Sequence, residues 1–232
     1  MKRLLEQIGW QLLIFRKNNL LAMIALITLV YVVLIFFLRS FENLDKFITL
    51  LIYNDPAMVG FIFIGISIIL EKDQDVLPAL FVTPLDHHIY LLSKIISLSS
   101  IGFLSALAMV VAAKGMSFNI VHFSVGAFST CVLFCFVGIY IVSYTTEVLH
   151  FLLRGAAFLV LMSLPLLSYF DLVDLRLFNL FPVQGGLNLT VNSYGASPNL
   201  GELVFGYISV SIWIPLLYWF VYRVFLKRIV EV

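Results

Sequence analysis

Charged residues are scarce in this chain of 232 residues. Asp, Glu, Lys and Arg together make up 12%, about half of their usual share in a soluble domain. Hydrophobic residues make up 62% and the mean hydropathy is +1.08, which excludes an ordinary soluble enzyme. Disorder is excluded too, because disordered chains are poor in aromatic residues and these account for 15%. The composition therefore indicates a protein that crosses a membrane several times.

Cysteine is nearly absent as well, and the formal net charge is only +1. This balance provides no basic surface for nucleic acid. Cys131 and Cys135 lie one helical turn apart in an apolar stretch without His or acidic neighbours, so we interpret them as small core residues and expect no metal. The charged start of the chain precedes an apolar run without a small-residue cleavage site, which favours a retained membrane segment over a signal peptide.

Long apolar runs are abundant. A helix needs about 20 apolar residues to cross the hydrocarbon core. The sequence accordingly predicts an all-α membrane protein with six transmembrane helices, of which the second is short: Leu20–Leu38, Pro56–Leu70, Ile95–Ala113, Ser124–Thr146, Gly155–Phe170 and Leu203–Tyr222. Because there is no internal repeat and no Gly/Ser linker, residues 1–232 are expected to form one domain.

The basic residues orient these spans, since Lys and Arg accumulate on the cytoplasmic side of a membrane. With the N-terminus inside, most of the 14 Lys and Arg residues fall in inner segments. The exceptions, in outer segments, are Arg39, Lys46, Lys114 and Arg176. Both chain ends are therefore predicted to lie in the cytoplasm.

Residues 1–18 carry apolar side chains at helical spacing, including Leu4, Ile8 and Phe15, while the charged residues are largely off that stripe. The pattern predicts an amphipathic helix that lies in the inner interface before the chain enters the first span. The alternative is a cytosolic start to a long first helix.

The inner connection Glu71–Lys94 combines three features. Charged residues end the second span, a short amphipathic piece follows (Val76, Leu77, Leu80 and Phe81), and Thr83-Pro84-Leu85-Asp86 resembles a helix start with Thr as N-cap. The next helix is therefore expected to begin near Pro84 in the cytoplasm and to run through Lys94. Without a further pattern, we favour the interpretation of this segment as an ordinary charged loop.

The order of these residues resembles the membrane subunit of an ABC-2 type transporter. In that family a proline opens the second span, an acidic-basic-acidic cluster ends it, and a Leu-rich stretch, a Thr-Pro-Leu or Ser-Pro-Leu turn and a Lys follow. The matching residues here are Pro56, Glu71-Lys72-Asp73, Leu77, Leu80, Thr83-Pro84-Leu85 and Lys94. Short multidrug-type permeases, including fluoroquinolone exporters, are the most similar. The chain departs from the pattern in having Ala57 after Pro56 and no Gly after the acidic cluster.

The resemblance implies that this connection is a coupling helix seated in a groove of a separate ATP-binding subunit. The implied coupling residues are Glu71, Asp73, Asp75, Leu77, Leu80, Phe81, Thr83 and Pro84. The chain has no Gly-x-x-x-x-Gly-Lys-Ser/Thr motif, so ATP and Mg would be bound by two copies of that partner, and this chain would hold no cofactor and be no enzyme. A second permease chain, identical or related, would complete a pathway across a bacterial or archaeal plasma membrane.

The outer connection Asp171–Glu202 is long and rich in Leu and Phe. It resembles the short re-entrant helices that cap the pathway in ABC-2 exporters, where backbone at membrane depth must be buried in protein or face water. A plain outer loop is the alternative.

Three further charged residues invite interpretation. Glu147 and Arg154 flank the inner turn between spans four and five, where they would form an ion pair, make a secondary contact with the ATP-binding subunit, or remain separately solvated. Asp55 is the one acid near the membrane interior, a position that suggests function. Because Asn54-Asp55-Pro56 also fits a cap that opens the second span, we favour the cap.

The apolar spans suit export of a hydrophobic or amphipathic substrate such as a drug, a lipid or a lipopeptide. A haem-exporter-like subunit of cytochrome c assembly is a close alternative. An intramembrane enzyme would need paired catalytic groups at one depth, and the spans contain no such arrangement. A scaffold without a transport pathway is the last alternative.

Overall fold

The computed structural model describes residues 2–38, 44–81, 86–173, 176–194 and 198–230. Within these ranges every regular element is helical, and six helices are long and apolar enough to cross a membrane, as predicted. Those helices cover Leu20–Phe37, Lys46–Asp73, His87–Lys114, Ile120–Val142, Val148–Tyr169 and Leu200–Val230. We call the end of the bundle that holds Asp73, His87, Val142 and Phe225 the inner end, following the orientation predicted from the basic residues.

Helix α1, Lys2–Lys17, precedes α2, Leu20–Leu38. The first span thus has the predicted bounds. Helix α1 packs along α6, His87–Lys114, and buries Phe15 completely, whereas Leu5 and Trp10 on its other side are 66% and 62% exposed. These exposed apolar side chains support the prediction that α1 borders the membrane interface.

The second span is where the prediction was wrong. It does not open at Pro56: helix α3 runs from Leu44 to Met58 with Pro56 inside it, and a π-helical turn, Val59–Phe63, leads into α4, Ile64–Asp73. Proline removes one helical hydrogen bond, and a π turn is another interruption that a long buried helix can contain. The proline therefore marks an interruption within the span and not its start.

The third and fourth spans form the centre of the bundle. Helix α6 begins at His87 with Asp86 as its N-cap, so the cap lies three residues beyond the predicted Thr83. Thr83 and Pro84 are outside the described residues. Helix α7, Ile120–Val142, packs against α3, α6 and two later helices, Gln184–Tyr194 and Leu200–Phe225. Cys131 and Cys135 are free thiols buried in its core, as predicted.

The fifth span is divided between α8, Val148–Ser163, and α9, Pro165–Tyr169, and it begins seven residues before the predicted Gly155. After it come a 3-10 turn, Arg176–Leu180, and helix α10, Gln184–Tyr194. The last span is α11, Leu200–Phe225, extended by a π-helical turn, Leu226–Val230.

Helix α10 packs tightly between α7 and α11. Glycine permits this approach: a Cβ on Gly126 of α7 would lie 2.6 Å from Thr190 Oγ1, and a Cβ on Gly206 of α11 would lie 3.0 Å from the Gly185 carbonyl oxygen. The outer connection is thus not an open loop. A re-entrant position at membrane depth stays a prediction, which this packing supports.

Candidate functional site

The inner connection leaves the bundle as a short exposed segment. Asp73, Gln74 and Asp75 are exposed, and Asp75 adopts a left-handed backbone conformation with φ of 53°. Helix α5, Val76–Phe81, follows. Asp residues tolerate this conformation better than most others, so the turn after α4 presents two carboxylates at the inner end.

Two apolar residues of α5 face the bundle. Leu77 is 3% exposed and belongs to the main hydrophobic core, and Leu80 packs partly buried against the same core. The side chain of Phe81 is not among the described groups. Helix α5 is therefore fixed to the bundle on one side by aliphatic packing, while the turn that precedes it projects its charges outward.

Glu71 does not face outward. Its carboxylate is buried and lies 2.6 Å from Lys94 Nζ, whose side chain is completely buried on α6. The Tyr90 hydroxyl donates a hydrogen bond to the second carboxylate oxygen, and Lys94 also donates to Ser67 Oγ over 3.0 Å. A buried ion pair is tolerated only when its remaining donors and acceptors are satisfied, and this cluster meets that condition.

The Lys72 side chain contacts the end of α7. Its Nζ donates to the carbonyl oxygens of Val142 at 2.9 Å and Thr145 at 3.2 Å, at the C-terminal end of α7. The last carbonyls of a helix lack intrahelical partners and carry partial negative charge, so a lysine stabilises them. In the cluster Glu71-Lys72-Asp73, Glu71 thus joins α4 to α6 and Lys72 joins α4 to α7. Asp73 is exposed.

The turn between α7 and α8 contains the two predicted secondary contacts. An ion pair between Glu147 and Arg154, one of the three interpretations, is not formed: Glu147 lies 3.2 Å from His150 Nδ1, and Arg154 donates to the Tyr144 carbonyl oxygen over 2.8 Å. Both residues are exposed. Their role as contacts for an ATP-binding subunit stays a prediction.

Asp55 lies inside the bundle and not at a helix start, so the predicted cap was wrong. It is 1% exposed and accepts a hydrogen bond from the Ser105 hydroxyl of α6. Ser105 in turn lies 2.5 Å from the Thr28 hydroxyl of α2. Within the described residues, no Lys, Arg or His forms an ion pair with Asp55. Among the described side chains, this carboxyl group within a span is thus joined to one hydroxyl group, which is joined in turn to a second.

A cleft between α3 and α8 touches the second span near Asp55. It has a volume of about 420 Å³ and a mostly apolar lining that includes Tyr53, Leu159 and Leu164. Asn54 and Ser163 contribute polar groups. Such a lining suits a molecule with a large apolar surface and few hydrogen-bonding groups.

Sequence reasoning missed the pairing of Glu71 with Lys94 and the carbonyl contacts of Lys72. A signal for the first was present: Lys94 directly precedes a long apolar run of the same helix, and a cation in such a position needs a partner. Nothing in the sequence indicated that Ser105 and Thr28 would meet Asp55, because hydroxyl residues are common in these spans.

Residues 2–232 match the sequence profile of the Fluoroquinolones export permease protein family. The chain belongs to that family. It is therefore a multi-pass membrane protein of the export permease type. No curated protein and no solved structure matches the chain. Within the described residues no group of three or more His, Cys, Asp or Glu side chains is placed to hold a metal ion.

Proposed function

We propose that this permease is the membrane subunit of an ATP-driven exporter of the ABC-2 type. It moves a hydrophobic or amphipathic substrate out of the cell, with ATP hydrolysed by a separate subunit. The observation that supports this most is the arrangement at the inner end: an exposed acidic turn, Asp73–Asp75, continues directly into α5, and both are bounded by α4 and α6.

The buried pair Glu71–Lys94 gives this turn its mechanical importance. It joins the last turn of α4 to α6 at the point where the exposed segment leaves the bundle. A force applied to the segment by a closing ATP-binding subunit reaches both helices together, which is what a rigid-body switch needs. Thr83 and Pro84 would belong to the docking surface by their place in the sequence, together with Phe81.

Two copies of the permease and two ATP-binding subunits would form the complete exporter. The cleft between α3 and α8 would then supply one wall of the pathway, with Asn54 and Ser163 as its hydrogen-bonding groups. Six spans enclose only part of a pathway in this arrangement, and a second chain would supply the other wall.

The first test is co-purification from the native membrane, followed by mass spectrometry of the bound proteins. We expect a P-loop ATPase in stoichiometric amount with the wild-type chain. Asp73→Lys should reduce the retained ATPase roughly ten-fold or more, because a charge of the wrong sign at a docking surface costs several kcal/mol. Leu77 and Glu71 are unsuitable positions, since both are buried and variants there would test folding.

The matched control is Glu6→Lys, which inverts an exposed acid of α1 at the same end. It should retain the ATPase like the wild type. If Asp73→Lys and Glu6→Lys both retain it in full, the docking segment is assigned wrongly. If the wild-type chain purifies without any ATPase, the energy source is assigned wrongly.

Asp55 favours one other energy source. A buried carboxyl joined only to hydroxyl groups within a span is typical of ion-coupled transport, so a permease driven by an ion gradient is the second candidate. Transport by the chain alone in vesicles without ATP, abolished by Asp55→Asn, would support that candidate and contradict the first.

A further inference from the structure

Helices α8 and α11 do not pack against each other extensively, and a groove lies between them above α7. Its apolar walls include Tyr140 of α7, Phe158 of α8, and Leu217 and Phe220 of α11. The groove has a volume of about 270 Å³. It extends along α7 from Tyr140 to Leu133, a distance of about 10 Å at 1.5 Å per residue.

Aromatic rings shape the groove near its inner end. The Tyr140 ring is stacked with Phe220 at a centroid distance of 5.8 Å and meets Phe158 edge-on at 6.0 Å. It also meets Tyr144, one helical turn further toward the inner end, at 5.3 Å. Tyr140 thus contacts both walls, and Tyr144 extends the row of rings beyond the lining residues toward the inner end.

Two guanidinium groups converge on Tyr144. Arg154 of α8 donates to its carbonyl oxygen over 2.8 Å, and Arg228 of the final π-helical turn lies 5.0 Å above its ring. Both arginines are exposed. No Asp or Glu within the described ranges forms an ion pair with either one. Glu147, the acid nearest to Arg154 along the chain, is paired with His150.

These contacts place positive charge beyond the Tyr140 end of the apolar groove. Helical spacing supports the same alignment, because Arg154 and Phe158 are four residues apart on one face of α8. Arginine binds phosphate with two parallel hydrogen bonds and is suited to this partner. The complementary ligand is an amphiphile with an anionic head and an apolar chain.

We propose that this groove binds an anionic phospholipid of the inner leaflet, with its phosphate at Arg154 and Arg228 and one acyl chain between α8 and α11. The cytoplasmic leaflet supplies such lipids and attracts basic residues near its surface. The site is independent of the energy source proposed above. It assigns Arg154 to lipid and not to contact with an ATP-binding subunit.

The test is native mass spectrometry of the full-length protein, purified in detergent and given phosphatidylglycerol or phosphatidylcholine with identical chains. The wild type should retain phosphatidylglycerol preferentially. Arg154→Gln and Arg228→Gln should each reduce that preference about five-fold, because each basic residue near a lipid surface contributes about that much. The double variant should reduce it about 25-fold, because the two contributions multiply.

Arg223→Gln is the matched control. Arg223 is a third exposed arginine at the same end, but its guanidinium lies 3.7 Å from the centre of the Trp219 ring, and neither residue lines the groove. The control should bind like the wild type. A variant that fills the groove, Val137→Phe, should reduce retention of both lipids.

Two results would overturn the proposal. One is equal retention of the two lipids by the wild type. The other is an equal loss in Arg223→Gln and in the Arg154/Arg228 double variant, which would mean general attraction to a basic surface. The arginine side chains are exposed, so these variants decide the question even where Val137→Phe does not fold.

Discussion

The second span carries two buried carboxylates in contrasting surroundings. Glu71, at its inner end, is neutralised by Lys94 and further bound by Tyr90. Asp55, further along the span, is bound by the hydroxyl of Ser105 and by no other side chain of the described part of the protein. The same helix thus contains one acid whose charge is fixed by a partner and one whose charge has no counterion among the described residues. The first is suited to transmit force between helices, and the second to respond to a proton, an ion or a cationic substrate.

A third acid, Asp171, shows how solvent exposure changes the stabilisation that an ion pair contributes. At the outer end of the same span, Lys46 Nζ lies 2.7 Å from Asp171, and these side chains are 40% and 82% exposed. The geometry is as good as that of Glu71 and Lys94, but water competes for both charges. Distance alone therefore does not rank these pairs by their contribution to stability. Substitutions along the span can provide that ranking.

The largest effect is expected for Lys94→Met. It leaves the Glu71 carboxylate buried without a cation, and breaking a buried pair in this way costs about 3–5 kcal/mol. Thermal unfolding of the purified protein in detergent measures the loss. The double variant Glu71→Gln/Lys94→Met should recover most of it, because no buried charge remains; a double variant as unstable as the single one would show that packing and not charge is responsible.

An intermediate effect is expected for Ser105→Ala. It removes the hydrogen-bond donor of Asp55, and a buried acceptor left without a partner costs about 1–3 kcal/mol. Adding Asp55→Leu should cancel much of that loss in the same unfolding assay, since the unsatisfied group is gone. If Ser105→Ala unfolds like the wild type, the carboxyl has another donor and the contrast with Glu71 disappears.

The smallest effect is expected for Lys46→Met, with a loss of about 0–1 kcal/mol, because exposed ion pairs contribute little. Raising the salt concentration should diminish even this difference between variant and wild type. A loss as large as that of Lys94→Met would contradict the ranking by burial.

Only part of the candidate site could be predicted from the sequence. Asp73 and Asp75 are exposed at the turn where the charge pattern placed them, and the helix after them is short, as expected. It is not amphipathic, because all six of its residues, Val76–Phe81, are apolar. Their role in docking stays a prediction. Glu71 belonged to the same pattern, yet its side chain turns into the bundle, because a residue at a helix end can face either way and only its neighbours decide.

The second span shows the same limit in the backbone. Pro56 was expected to start a helix, since proline is favoured at a first helical turn. The residues before it, Leu44–Asp55, form helix because they are packed against α6 and α7. Tertiary packing can outweigh the local cost of one proline, and a window of hydropathy alone could not show this.

Composition and apolar run length determined that the chain is a six-span helical membrane protein, because the thickness of the hydrocarbon core fixes how many apolar residues a span needs. The distribution of basic residues determined the expected orientation for a similar reason. Only the tertiary structure decided which carboxylate meets which partner. Glu71 and Lys94 are 23 positions apart, and Asp55 and Ser105 are 50 apart. Contacts at such separations depend on how helices pack side by side, which local sequence patterns do not specify.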